Sequence, residues 1–294
     1  MKRIGLFLLT NIAVIAVASI TLSLLGVGSF LDESGTNLNL QSLLIFCFVF
    51  GMTGSVISLL LSKKMAVWTT KTKIIDTPRT REEHWLVETT RELADKAGIG
   101  MPDVGIFPME QSNAFATGAN RNKALMAVSS GMLQRFNKNE LRAVIGHEIA
   151  HIANGDMITM TLIQGVVNTF VMFLARVVGF VVDRVVLKNE RGLGIGYYIT
   201  TIIMEILLMI LASIIVMYFS RQREFRADAG AAQLTNKDDM IGALRSLKRE
   251  MGIPDQMPES LNAFGINSGQ RSGLKALFMT HPPLDERIAA LEIL

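Results

Sequence analysis

Residues 147–151 read His147-Glu148-Ile149-Ala150-His151, and this pentapeptide decides how the rest of the chain is organised. On a helix, side chains four apart lie on one face, one turn above the other. His147 and His151 can therefore aim two imidazole nitrogens at one metal ion, with Glu148 beside them. This is the zinc-hydrolase pattern, in which the histidines are ligands and the glutamate is a base that does not touch the metal. The chain has only four His, so two of them at this spacing around a Glu form a specific signal. A catalytic zinc takes three protein ligands and leaves its fourth position to water. No third His follows at the spacing of the extended, Gly-containing His motif, which points to a carboxylate. The candidates are Asp156, Glu205, Glu224 and Asp228. Asp156 follows His151 too closely and is expected near the helix end with its side chain turned from the metal face. Glu205 lies deep in an apolar run.

Outward from the motif, the sequence divides into apolar and polar blocks. Ile4–Leu31 and Ser34–Ser62 carry no charged residue, and about 20 apolar residues suffice to cross a bilayer. Lys2 and Arg3 ahead of the first run suit a signal anchor better than a cleaved peptide, because the run is long and a second span follows at once. Met157–Val182 is interrupted only by Arg176, and Gly192–Ser220 only by Glu205. Folded as an antiparallel hairpin, these two segments place Arg176 and Glu205 at depths about 6 Å apart, at ~1.5 Å per residue. Intramembrane charges usually pair, and these two are expected to meet.

Four spans set both termini and the polar segments on one side. Of the 29 Lys and Arg, Arg176 lies within a span and Arg184, Lys188 and Arg191 in the second outer loop; all others fall on that one side. The positive-inside rule makes it the cytoplasm. The expected organisation is a membrane hairpin at 1–62, the first part of a polar domain at 63–156, a second hairpin at 157–220 and the rest of the domain at 221–294. This topology returns the chain at Glu224 to the face where the motif helix leaves it, which favours Glu224 as third ligand. Asp228, four residues on, faces the same side and is placed to accept a ligand N–H.

The 294 residues are 50% hydrophobic and 19% charged, against a norm of about 25% charged, and mean hydropathy is +0.36. That excludes a disordered chain. A single cysteine, Cys47, excludes a disulfide framework or a multi-cysteine metal site. The net charge of +3 is not gathered with aromatics on one surface, so no nucleic acid is expected. The expected partner is the lipid bilayer, with Lys63, Lys64, Lys71 and Lys73 suited to anionic headgroups. Within the polar blocks, helices are expected at Glu82–Ala97, from about Asn139, at Arg221–Leu234, at Asn236–Met251 and at Leu284–Leu294. Strands are expected at Val104–Phe107, Asn113–Thr117 and Leu125–Ser129, and a loop at Pro254–Gly273.

His147-Glu-Ile-Ala-His151-Ile-Ala-Asn154-Gly-Asp156 and Arg223-Glu224-Phe225-Arg226-Ala227-Asp228 resemble the paired motifs of the HtpX-type membrane zinc metalloproteases, bacterial inner-membrane relatives of the CAAX prenyl endopeptidases. The resemblance extends to Ser112-Asn-Ala-Phe-Ala-Thr-Gly118, Ser129-Ser-Gly-Met-Leu133 and Thr280-His-Pro-Pro283. It implies an α-helical membrane protein with about four transmembrane helices and a cytoplasmic α+β zincin-like protease domain. It implies one Zn2+ per chain held by His147, His151 and Glu224, with Glu148 as base and Asp228 and Asn154 behind the ligands. Asn113, Ala114 and Phe115 are then part of an edge strand that pairs with the substrate backbone. His281, standing in a loop, is the candidate donor to the oxyanion. The implied substrates are damaged, unfolded or misassembled membrane proteins, in envelope and heat-shock quality control at the bacterial inner membrane. The main alternative is a membrane scaffold or chaperone whose zinc is structural, although such a site has no use for Glu148. A transporter built around Arg176 and Glu205 lacks the broken helices such a path requires.

Overall fold

The computed structural model describes residues 39–250, 266 and 279–294. The first expected span, 4–31, and the expected loop at 254–273, Ile266 apart, lie outside the described residues. In chain order the elements are α1 (Leu40–Thr70), β1 (Lys73–Ile74), α2 (Arg81–Lys96), β2 (Asp103–Phe107), β3 (Ala114–Thr117), β4 (Leu125–Ser129), α3 (Ser130–Arg135), α4 (Lys138–Asn154), α5 (Asp156–Val181), α6 (Ile195–Leu234), α7 (Lys237–Arg249) and α8 (Leu284–Ile293). A π-helical turn, Val182–Val186, extends α5. Two compact units result. One combines the residues up to Ile57 with Thr161–Val216, and the other combines Ser58–Met160 with Met217–Leu294.

The apolar runs become the long helices. α1, α5 with its π turn, and α6 are each long and apolar enough to cross a membrane, with mean hydropathies of 2.3, 2.0 and 2.6 over their most apolar stretches. Asn39 opens α1 by accepting the Ser42 N–H at 2.9 Å, and Lys71, with a left-handed φ of 55°, closes it. In the first unit, Leu44 and Cys47 of α1 pack on Phe173 and Val177 of α5. Small residues let the helices approach: a Cβ on Gly51 would stand 2.8 Å from Thr169 Oγ1, and one on Gly179 would run into Thr201 Oγ1. The ion pair anticipated from the hairpin spacing is present, with Arg176 Nη1 donating to Glu205 Oε1 at 2.8 Å.

The second unit is built on a mixed sheet of order β1-β2-β4-β3. β2 runs parallel to β4, and the other pairs are antiparallel. Val104, Ala114, Ala116, Met126 and Val128 face a large core shared with α2, α4 and α7. Phe107, Phe115, Leu125 and Ala127 face a second cluster closed by Ala66 of α1. Cover on both faces explains why β3 and β4 read as unbroken apolar runs rather than as alternating ones. β1 and α3 go beyond the expected elements: β1 is two residues long, too short for any period, and α3 is a helix of six residues. Ser129 caps α3 by accepting the Met132 N–H at 3.1 Å.

Candidate active site

α4 carries the pentapeptide through the middle of the second unit, packed against α2, α7 and β3. A capping box fixes its start: Asn137 Oδ1 accepts the Glu140 N–H at 3.0 Å, and Glu140 Oε2 accepts the Asn137 N–H at 3.2 Å. Gly155, at φ 68°, ends it. His147, Glu148 and His151 are all buried. α6 crosses α4 at close range because both helices present small residues there. A Cβ on Gly230 would lie 2.8 Å from Ala150 Cβ, and one on Gly146 would lie 3.0 Å from Thr235 Cγ2 and 3.6 Å from Ala231 Cα.

That approach lays Glu224 of α6 against both histidines. Glu224 Oε2 is 3.4 Å from His147 Nε2, Glu224 Oε1 is 3.4 Å from His151 Nε2, and the two Nε2 atoms are 3.0 Å apart. Ligands about 2.05 Å from a tetrahedral zinc are separated by about 3.3 Å, so the triangle has the size of a zinc site. The proton positions agree. His147 Nδ1 lies 2.9 Å from Asp228 Oδ1, and His151 Nδ1 lies 2.7 Å from Asp156 Oδ2. His151 Nδ1 is hydrogen-bonded to Asp156 and His147 Nδ1 stands against Asp228, which leaves the two Nε2 atoms turned to each other, an arrangement that a cation between them relieves. The surrounding charge points the same way. Burial pushes both imidazoles down, yet Asp228 and Glu224 hold His147 above the ordinary value, and Glu224 and Asp156 push His151 up to about 9. Glu224 is held well below the usual carboxylate range: burial opposes, but His281 and His151 outweigh it.

Glu148 is 1% exposed, and neither of its carboxylate oxygens has a hydrogen-bond partner among the described residues. Burial raises its pKa above the ordinary value. His281 does not stand clear in a loop; it is buried with Nδ1 2.9 Å from Glu224 Oε2, and burial holds its ring below the usual imidazole value. β3 is an edge strand of the sheet. Ser129 N–H bonds to Asn113 C=O at 2.8 Å, so the alternating ladder turns the backbone groups of Ala114 and Ala116 outward. There Ile266 N–H reaches Ala114 C=O at 3.1 Å and Asn113 Oδ1 at 3.0 Å. The Phe115 ring is buried against Phe107, with centroids 5.2 Å apart. Asn154 is half-buried, and no hydrogen bond ties it to the site among the described residues.

Two residues escaped the sequence reading. Asp156, expected to point away, instead receives His151 Nδ1–H, because the left-handed Gly155 breaks the helical phase and starts α5 beneath the histidine. The acceptor is also touched at 3.4 Å by Arg226, whose side chain is 61% exposed. Arg287 is completely buried and grips Asp228 with two bonds of 2.7 and 2.8 Å. The signal for Asp156 was the Asn-Gly step before it; for Arg287, 59 residues from its partner, there was none.

The model of peptidase family M48 matches residues 80–294. A protease HtpX from Alcanivorax borkumensis is 62% identical over 293 residues, spanning 99% of this chain and 98% of its own. The HtpX protease of Hahella chejuensis is 63% identical over 291 residues, with 99% of both chains covered. In structure, the chain resembles the crystal structure of S. mikatae Ste24p with a TM-score of 0.61 at 17% identity, over 97% of this chain and 66% of that one, which supports the same fold. The buried histidine–histidine–glutamate triangle is thus the metal site typical of these enzymes, and the protein belongs to peptidase family M48, as an HtpX-type membrane zinc metalloprotease.

Proposed function

We propose that the protein is an endopeptidase that cuts unfolded or misassembled membrane proteins at the cytoplasmic face of the bacterial inner membrane, as part of envelope quality control. The observation that carries this reading is Glu148, a buried carboxylate beside the metal ligands that makes no hydrogen bond among the described residues. A structural zinc site gains nothing from it, whereas hydrolysis needs a base there. Zinc held by His147, His151 and Glu224 supplies Lewis-acid polarisation of water and of the scissile carbonyl. Glu148 takes the proton of the attacking water and passes it to the leaving amine, so the carboxylate ends each cycle as it began. Its raised pKa suits a group that must hold and then release a proton. His281 is assigned to the oxyanion that develops on the substrate carbonyl.

Substrate backbone is taken up by strand addition at Asn113, Ala114 and Phe115, where Ala114 turns its main-chain groups outward, Asn113 adds its Oδ1 and the buried Phe115 ring anchors the strand. An extended peptide adding there takes over the Ala114 carbonyl now met by Ile266. Main-chain pairing reads little side-chain sequence, which suits varied, unfolded substrates. The distribution of Lys and Arg supports the cytoplasmic placement. The test uses wild type and Glu148→Gln purified in detergent, with bound zinc and cleavage of an unfolded polypeptide measured on the same samples. The expected result is one zinc in each protein and chelator-sensitive cleavage by the wild type alone. Equal cleavage by both removes Glu148 from the reaction, and zinc without cleavage in either puts the scaffold reading ahead.

A further inference from the structure

Arg287 heads the fully buried side chains of the described residues, with none of its surface exposed. A buried guanidinium is costly unless it is paired and hydrogen-bonded, and its two shortest bonds go to one residue. Nε donates to Asp228 Oδ2 at 2.8 Å and Nη2 to Asp228 Oδ1 at 2.7 Å. Asp228 Oδ1 in turn stands 2.9 Å from His147 Nδ1. The third nitrogen, Nη1, lies 3.8 Å from Glu224 Oε2 and 3.5 Å from the Ile266 carbonyl. One cation thus holds the carboxylate behind one metal ligand and stands beside another. Its own position is set by α8, whose Leu284, Ile288 and Leu291 are anchored in the large core.

We propose that Arg287 is a positioning residue of the zinc site, acting through Asp228. A carboxylate held at one oxygen swings about its Cβ–Cγ bond, whereas two parallel bonds fix its plane. With the plane fixed, His147 keeps its proton on Nδ1 and presents its Nε2 lone pair to the metal. Among the described residues the other histidine has no equivalent lock: Arg226 touches Asp156 once, at 3.4 Å, from an exposed position.

The sign of one measurement separates this role from its rivals. Charge alone predicts that removing a cation so close to Glu224 tightens zinc binding. Lost positioning predicts the reverse. Zinc affinity is measured by chelator competition on the detergent-purified full chain, together with the melting temperature of the metal-free form. Arg287→Met is expected to weaken zinc binding about tenfold, the range for residues that orient a ligand. The same substitution in an Asp228→Asn background is expected to change it less than twofold. Arg287→Lys, which keeps the charge but cannot bridge both oxygens, is expected to weaken it in the same direction and carries the test if Arg287→Met does not fold. Unchanged or tighter binding overturns the proposal, as does an undiminished effect in the Asp228→Asn background. Failure of both Arg287 variants to fold while Asp228→Asn folds also overturns it, because Arg287 then serves the core.

Discussion

Glu148 and Glu224 are both buried glutamates beside the same two histidines, yet their surroundings drive them apart. Burial raises Glu148, while His281 and His151 overcome burial and hold Glu224 well below the usual range. Such a divergence separates a proton carrier from a permanent anion. On the proposed mechanism, Glu148→Gln lowers kcat at least about 10²-fold and leaves zinc in place, whereas Glu224→Gln releases the metal; zinc content and turnover on the same samples distinguish them. His281→Ala is expected to cut kcat by about 10² to 10³ with zinc retained, and loss of zinc instead would place His281 among the residues that hold the metal. Asp156→Asn keeps the shape of the acceptor but not its charge, so zinc affinity is expected to fall roughly tenfold, measured by chelator competition. At this scale His147, Glu148 and His151 are legible together because a single helical turn of sequence places them, whereas Glu224 rests on the return of the chain after the second hairpin. Asp156 is not legible, since its contact depends on the phase lost at Gly155.

Between the residues and the whole lie the helix contacts that bring α4 and α6 together. Glu224 reaches the histidines only because Gly230 and Gly146 let the two backbones close up. Gly230→Ala would set a methyl 2.8 Å from Ala150 Cβ, in a place with no flexible side chain to yield. The expected outcome is a loss of about 1–3 kcal/mol in stability together with weaker zinc binding, read by thermal melting and chelator competition. Retained zinc affinity with lowered stability would show that the helices part elsewhere than at the site. The sequence anticipated helix and strand positions well where local chemistry set them, as in the capping boxes of α2 and α4. It could not show this crossing, because a glycine inside an apolar or mixed helix gives no sign of which helix lies opposite. Nor could it show the strand order β1-β2-β4-β3, since β1 has too few residues to signal itself.

For the whole molecule, the solvent changes along the chain. α6 keeps Ile202, Ile206 and Ile210 exposed, which water would disfavour and lipid accepts, and the same helix ends in the buried charges of the metal site. In the first unit the burden of polarity falls on Arg176 and Glu205. Arg176 Nη1 bonds both Glu205 Oε1 at 2.8 Å and the Met172 carbonyl at 3.0 Å, so the guanidinium is satisfied by its partner helix and its own. An unpaired charge near the bilayer centre costs on the order of 2.5–3.5 kcal/mol on insertion scales. Removing one partner leaves that cost with the other, whereas removing both exchanges the pair for apolar contacts. Arg176→Leu and Glu205→Leu are therefore each expected to lower the yield of folded protein in membranes and its melting temperature in detergent. The double variant is expected to recover to near the wild type in both. Additive losses in the double variant would mean that the two charges serve separate contacts, and that the pair is not what holds α5 and α6 in register.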